Sequence, residues 1–228
     1  MEKDKLIKFI EKELKAHKKE FIDINKFIYS NPEIDFREYK ASSYLKEYLE
    51  NKNFEVFEMD NLPTSFCARY GKDGRRVGII AEYDAVSYEL GHACGHNLIA
   101  SAGVGAAVLI KNYLENSGHK GQIEVWGTPA EESGGGKALM IKEGAFEELD
   151  AAYYIHPSNS NRIGGRSLAT TVIKASFTGK SAHAARRPEE GINSVKAMNS
   201  FLMLIDNLHQ QMYRGTKINS YIDKTCYE

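Results

Sequence analysis

The chain has 228 residues, 42% of them hydrophobic, and 30 Lys and Arg against 31 Asp and Glu give a formal net charge of -1. That supports a sizeable core in one large domain or two smaller ones, and leaves no net field favouring nucleic acid or an anionic membrane. Three cysteines (Cys67, Cys94, Cys226) are an odd number for a chain of this size, so a reduced, cytoplasmic setting is expected rather than a disulfide framework. The opening MEKDKLIKFI does not read as a secretory signal. No apolar stretch is expected to reach the roughly 18 to 20 residues of a membrane span.

Ile7, Ile10, Leu14, His17, Phe21, Ile24 and Ile28 recur in three- and four-residue steps and predict one face of a helix, with His17 as a packing residue. Pro32 in SNPE stops it, because proline disfavours helical geometry at the residue before it. A second helix is predicted from about Arg37 to Asn51, with Ala41, Tyr44, Leu45, Tyr48 and Leu49 inward. The period then changes to strands at FEVFEMD, FCARY and RVGIIAEYD, with GKDGR a turn between the last two. NLIASAGVGAAVLIKNYLE reads as a helix capped by Asn97, whose small residues allow close approach to a sheet. Strand QIEVWGTP, helix GKALMIKEGAFEEL and strand AAYYIHP follow. Strands alternating with helices predict an α/β layer with a parallel or mixed sheet and ligands beyond the strands' carboxyl ends. After NRIGGRS, the strand LATTVIKASFTG and the helix GINSVKAMNSFLMLIDNLHQQM look like the start of a second domain, from 167 to 228 after a first from 1 to 166.

Four stretches at these strand ends carry chemistry. Glu82 and Asp84 close the strand at AEYDAV; acidic residues are mostly exposed, so alone they read as a solvated end. In GHACGHN, His92, Cys94 and His96 stand at every second position. In extended chain such side chains point the same way, and thiolate with imidazole suits zinc and neighbouring divalent ions. A buried cysteine beside incidental histidines is the plainer alternative, and a thiol nucleophile with a histidine base is another. In GTPAEESGGGK, Glu131 and Glu132 follow a buried-looking strand and precede a flexible turn. Metal-assisted hydrolysis needs one carboxylate on the metal and one free to take a proton from water, and adjacent glutamates can divide those roles. The pairs Glu147–Glu148 and Glu189–Glu190 read as surface decoration. His156 ends the next strand.

NPEIDFREYKAS, AEYDAV, GHACGHN, GTPAEESGGGK, IHP and GKSAHAARRPEEGINSVKA, in this order along nearly the whole chain, resemble metallopeptidase family twenty. The similarity is greatest to its amidohydrolase branch, with p-aminobenzoyl-glutamate hydrolases and dipeptidase-like members. The resemblance implies an α/β, zinc-peptidase-like layered sheet with flanking helices and a small α/β lid that mediates dimerisation. It implies two divalent metal ions, zinc or manganese. Cys94 is then the ligand shared between them, His96, Glu132 and His156 are further ligands, and Glu131 is the general base. Asp84 supports the site, Glu82 stands where other branches place a histidine ligand, and His92 belongs to the motif without ligating. In the lid, His183 matches a histidine that reaches a partner's active site and steadies the oxyanion, and Asn193 matches a substrate contact. Asn97 departs from the aspartate of many members.

The implied reaction is amide hydrolysis of N-acyl amino acids or dipeptide-like small molecules, with a homodimer and no nucleic-acid or membrane partner. The resemblance also implies further lid strands and one more histidine ligand beyond Glu228, so the chain is expected to be a fragment or to need another piece. The alternatives are a homologue that only binds metal or a partner, and a cysteine amidase using Cys94.

Overall fold

A single apolar cluster accounts for how the first helices and the sheet meet. Ile24 and Ile28 come from α1 (Glu2–Ser30), and Ala41, Leu45 and Leu49 from α2 (Tyr39–Asn51). They pack with Phe66 and Ala68 of β2 (Leu62–Tyr70), Ile79 and Ala81 of β3 (Arg76–Glu82), and Ile123 and Val125 of β4 (Gln122–Thr128). Ala100, Val104, Ala107 and Val108 of α3 (His96–Ser117) complete it. This computed structural model describes residues 2–164 and 169–222. The chain divides into two units, Met1–Arg162 and Ile163–Glu228.

With β1 (Glu55–Met59) and β5 (Ala151–Tyr153), the first unit holds a five-stranded sheet in the order β1-β2-β4-β3-β5. β1–β2 and β2–β4 are antiparallel, whereas β4–β3 and β3–β5 are parallel. The GKDGR turn therefore does not make a hairpin. β4 inserts between the two strands that the turn connects, and Gln122 N donates to Arg75 O at 2.8 Å as it enters. Three parallel neighbours, β4, β3 and β5, end on one edge of the sheet. Their carboxyl ends deliver AEYDAV, GTPAEE and YYIHP to the same place.

Several expectations are corrected. α3 begins at His96 after Gly95, which is left-handed (φ 82°), so Asn97 lies inside the first turn and is not the cap. A side chain at Gly95 would also meet Pro157 Cγ at 2.7 Å, so glycine there lets the loop close onto the segment carrying His156. α4 (Gly136–Lys142) is shorter than predicted, because Gly144 and Phe146 take positive φ values of 84° and 71° and end the helical path. α3 is long and apolar enough by length and composition to cross a membrane, contrary to the sequence reading, but 56% of that stretch is buried inside the fold. A helix covered by α1 on one side and by the sheet on the other is apolar nearly all round for that reason. The amino-terminal half of the α1 stripe stays exposed, with Ile7 at 44% and Leu14 at 49%.

In the second unit, residues 169–179 form no strand, and pairing there is one bridge between Lys180 and Ile192. A strand exists only with a neighbour to bond, and the described residues of this unit supply none. Leu168, at the start of the predicted strand, lies outside the described residues. α5 (Ser194–Leu208) forms as predicted in kind and is shorter at both ends. Phe177 packs on Phe201 with ring centroids 5.6 Å apart.

Two stability predictions follow from this packing. A side chain at Gly103 of α3 would lie 3.2 Å from Ile79 Cγ2 and 3.3 Å from Ile80 O. Gly103→Val should therefore lower the urea-unfolding free energy by about 1–3 kcal/mol, the usual effect of overpacking. Glu20 accepts from Tyr48 Oη at 2.7 Å and pairs with Lys52 Nζ at 2.7 Å. Burial pushes its carboxyl up, but Lys52, Tyr48 and His17 outweigh it and hold the pKa at about 2. The folded value lies below the unfolded one, so this stabilisation is present above roughly pH 4.5 and is lost as pH falls toward 2. Because the group is partly exposed, Glu20→Gln should cost about 1 kcal/mol at pH 7. Urea titrations over this range should show the difference from wild type closing as pH drops.

Candidate metal centre

Asp84, two residues beyond the end of β3, is 2% exposed and uses both carboxylate oxygens. Oδ1 accepts from His96 Nδ1 at 2.7 Å, and Oδ2 accepts from the Glu132 backbone N at 3.0 Å. In the neutral imidazole that metal binding requires, Asp84 accepts the Nδ1 proton and the Nε2 lone pair faces the other carboxylates. His96 is 1% exposed, and Nε2 has no hydrogen-bond partner among the described residues. It faces Glu82 Oε2 at 3.4 Å, Glu132 Oε1 at 3.8 Å and Glu131 Oε2 at 3.9 Å. His156 repeats the device in exposed form. Its Nδ1 donates to Pro157 O at 2.8 Å, leaving Nε2 3.4 Å from Cys94 Sγ.

Two triplets result, Cys94–His96–His156 and His96–Glu131–Glu132, each with its ligand atoms within 4.8 Å of one another. They share His96. A buried, unpartnered imidazole nitrogen is costly unless something occupies it. Sulfur, imidazole and carboxylate at this spacing are a donor set that fits zinc or a similar divalent ion. The local charge agrees. Burial first, and then the Glu132 carboxylate, push the Cys94 thiol up to about 12, so the pocket disfavours a bare thiolate and favours a cation beside it. Burial and the neighbouring Glu82 raise the Glu131 carboxyl above its ordinary value. Burial lowers the His96 pKa, but Asp84, Glu82 and Glu132 together raise it.

The sheet edge thus brings together Glu82, Asp84, Cys94, His96, Glu131, Glu132 and His156. His92 is buried on the same loop at 7% exposure, with neither ring nitrogen hydrogen-bonded among the described residues, and lines a hollow with Asn25, Tyr29 and Ser158. His183 and Asn193 belong to the second unit. There His183 Nδ1 accepts from Ala185 N at 3.3 Å, and Asn193 Oδ1 caps α5 by accepting from Lys196 N at 2.9 Å. Far from a solvated strand end, Glu82 is 1% exposed. Lys137 Nζ donates to one of its oxygens, and Tyr154 Oη donates to the other at 2.7 Å. Sequence reasoning passed over Lys137 and Tyr154. Tyr154 stands two residues before His156, on the same side of an extended segment, and that spacing was the available signal.

Among known families, the model of peptidase family M20/M25/M40 matches residues 78–217. The chain belongs to this family. Among curated relatives, one of the p-aminobenzoyl-glutamate hydrolase subunits of Escherichia coli (strain K12) is 32% identical, covering 94% of this chain and 48% of its own length. Xaa-Arg dipeptidase of Mus musculus is 35% identical, covering 87% of this chain and 49% of its own length. The chain spans about half the length of these relatives. A solved putative aminohydrolase from methicillin resistant Staphylococcus aureus shares the fold, with a TM-score of 0.62 at 19% identity, covering 91% of this chain and 59% of that one. A dinuclear metal binding M20 peptidase from Bacillus subtilis does so with a TM-score of 0.57 at 24% identity, covering 63% of this chain and 44% of that one.

In this M20-family chain, Asp84 is the group that fixes the His96 tautomer. Asp84→Asn should weaken zinc binding by roughly 10- to 100-fold, the usual effect of losing an outer carboxylate. Competition with a chromophoric chelator measures it.

Proposed function

We propose that the chain is the metal-binding part of an amidohydrolase that cleaves the amide bond of N-acyl amino acids or dipeptide-like molecules. The observation that carries this reading is the buried His96 Nε2, freed by Asp84 and facing Glu131 and Glu132. Family membership supports it, as do relatives named for hydrolysis of aminobenzoyl-glutamate and of Xaa-Arg dipeptides. Cys94, His96, Glu132 and His156 would hold two divalent ions, zinc or manganese. When bound, such ions supply Lewis acidity that polarises an amide carbonyl and makes water more acidic.

The chain's own residues do the rest. Asp84 keeps His96 in one tautomer and one orientation. Glu131, with its side chain 41% exposed at the mouth of the site, takes a proton from water and returns it to the leaving amine. Its raised pKa brings it closer to neutrality, which suits a base that must also give the proton back. The products are a carboxylic acid and a free amine or amino acid. His183 would steady the oxyanion across a homodimer, on the strength of its motif alone. A cytoplasmic setting completes the reading. A free Cys94 nucleophile is disfavoured by burial and then by the anionic surroundings, which together push its thiol up.

The test is hydrolysis of p-aminobenzoyl-glutamate and of an Xaa-Arg dipeptide with and without chelator. Activity should vanish on chelation and return with zinc or manganese. Glu131→Gln should retain the metal and lower kcat by at least about 100-fold. Turnover that survives chelation would contradict the assignment.

A further inference from the structure

The stretch NPEIDFREYKAS supplies none of the candidate ligands, yet it touches the segment that carries Asp84 and the turn that carries Glu131 and Glu132. Glu33 O accepts from Ala85 N at 2.8 Å, next to Asp84. The Glu33 carboxylate accepts from Lys40 N at 2.9 Å and Ala41 N at 3.0 Å, and so caps the start of α2. That leaves Glu38, at the position before the helix, free to turn inward, and it is fully buried. Its Oε1 accepts from Phe36 N at 3.1 Å and from Ala130 N at 3.2 Å. Its Oε2 accepts from Thr64 Oγ1 at 3.1 Å. One carboxylate thus ties together the 34–36 loop, β2 and the turn after β4.

Ala130 takes a left-handed φ of 50°, uncommon for a residue with a side chain, immediately before Glu131. Such a conformation persists only where the surroundings over-determine it. Here the turn is gripped at two alternate N–H groups, Ala130 N by Glu38 and Glu132 N by Asp84. Ala130 O in turn accepts from Gly134 N at 3.0 Å, and the Phe36 ring lies against Gly134. A carboxylate buried without a basic partner is expensive, and three donated hydrogen bonds are what make it tolerable.

We propose that Glu38 is a positioning residue of the metal centre: with Asp84 it clamps the Ala130–Glu132 turn, and so sets where the Glu131 and Glu132 carboxylates stand relative to His96. The inference rests on the metallohydrolase reading, and its test separates the two. Zinc affinity and amide hydrogen exchange would be measured on the full chain for wild type, Glu38→Gln, Glu38→Ala and Leu49→Ala. Leu49 is a buried α2 residue of the main core, so its truncation reports general destabilisation.

Glu38→Ala should speed exchange across residues 129–136 and weaken zinc binding by about 10- to 100-fold. Glu38→Gln keeps an acceptor for Phe36 N and Ala130 N, with its amide facing Thr64 Oγ1, so it should stay within about threefold of wild type in affinity. Leu49→Ala should lower the melting temperature with zinc affinity unchanged. Wild-type exchange and affinity in Glu38→Ala would overturn the clamp, as would an equal loss in Leu49→Ala. Should Glu38→Ala fail to fold, a Glu38→Gln protein that folds yet loses more than tenfold in affinity would overturn it too. Wild-type protein that takes up no zinc would remove the metallohydrolase reading, while exchange in the 129–136 turn still decides whether Glu38 holds it.

Discussion

Everything at the sheet edge depends on one buried carboxylate having two partners. Asp84 holds the His96 ring by one oxygen and the backbone of Glu132 by the other. The first bond chooses which imidazole nitrogen is left open. The second fixes the distance from that nitrogen to the glutamate pair. Glu132 follows β4, which sheet register brings alongside β3 with Glu82 opposite Thr128, whereas His96 arrives twelve residues on, in the first turn of α3. Preorganisation of this kind is inexpensive because the strands are already held by the core beneath them.

The electrostatics follow from the same placement. Glu82, Asp84, Glu131, Glu132 and Cys94 crowd around His96, and Lys137 is bonded to Glu82 at the rim. Desolvation and mutual repulsion raise the Cys94 and Glu131 values, the response expected of anions packed together without enough positive charge. A divalent ion, as proposed, would relieve that imbalance and use the open nitrogen at once. Perturbed groups clustered around a specific charge partner mark a candidate functional site. Here the physical reason is specific: donor atoms of Cys94, His96, Glu131, Glu132 and His156 lie within reach of common points.

Much of this was legible in the sequence, and the misses have physical causes. The strand–helix alternation is a local signal, and it located the sheet. The every-second-residue spacing of His92, Cys94 and His96 was read as extended chain, but the segment turns, with Gly95 N donating to His92 O at 3.0 Å, and His92 falls outside the cluster that Cys94 and His96 join. Strand order was not legible, because nothing in GKDGR says that β4 will enter between the strands it joins. The cap of α3 was misplaced because the left-handed turn at Gly95 outweighs the capping preference of Asn97. LATTVIKASFTG has strand composition, but residues 169–179 pair with no strand among the described residues of their unit. Glu38 offered a signal that went unused. It lies three, four and seven residues before the buried Ala41, Ser42 and Leu45, so its carboxylate shares the apolar face of α2.

The central proposal is that the donor atoms around His96 form a metal centre that includes the Cys94 sulfur. X-ray absorption at the zinc edge of the metal-loaded chain tests it directly. The account predicts zinc bound by nitrogen and oxygen at about 2.0–2.2 Å with one sulfur at about 2.3 Å. The sulfur should disappear in Cys94→Ser. Zinc bound without sulfur, or no zinc retained at all, would contradict it.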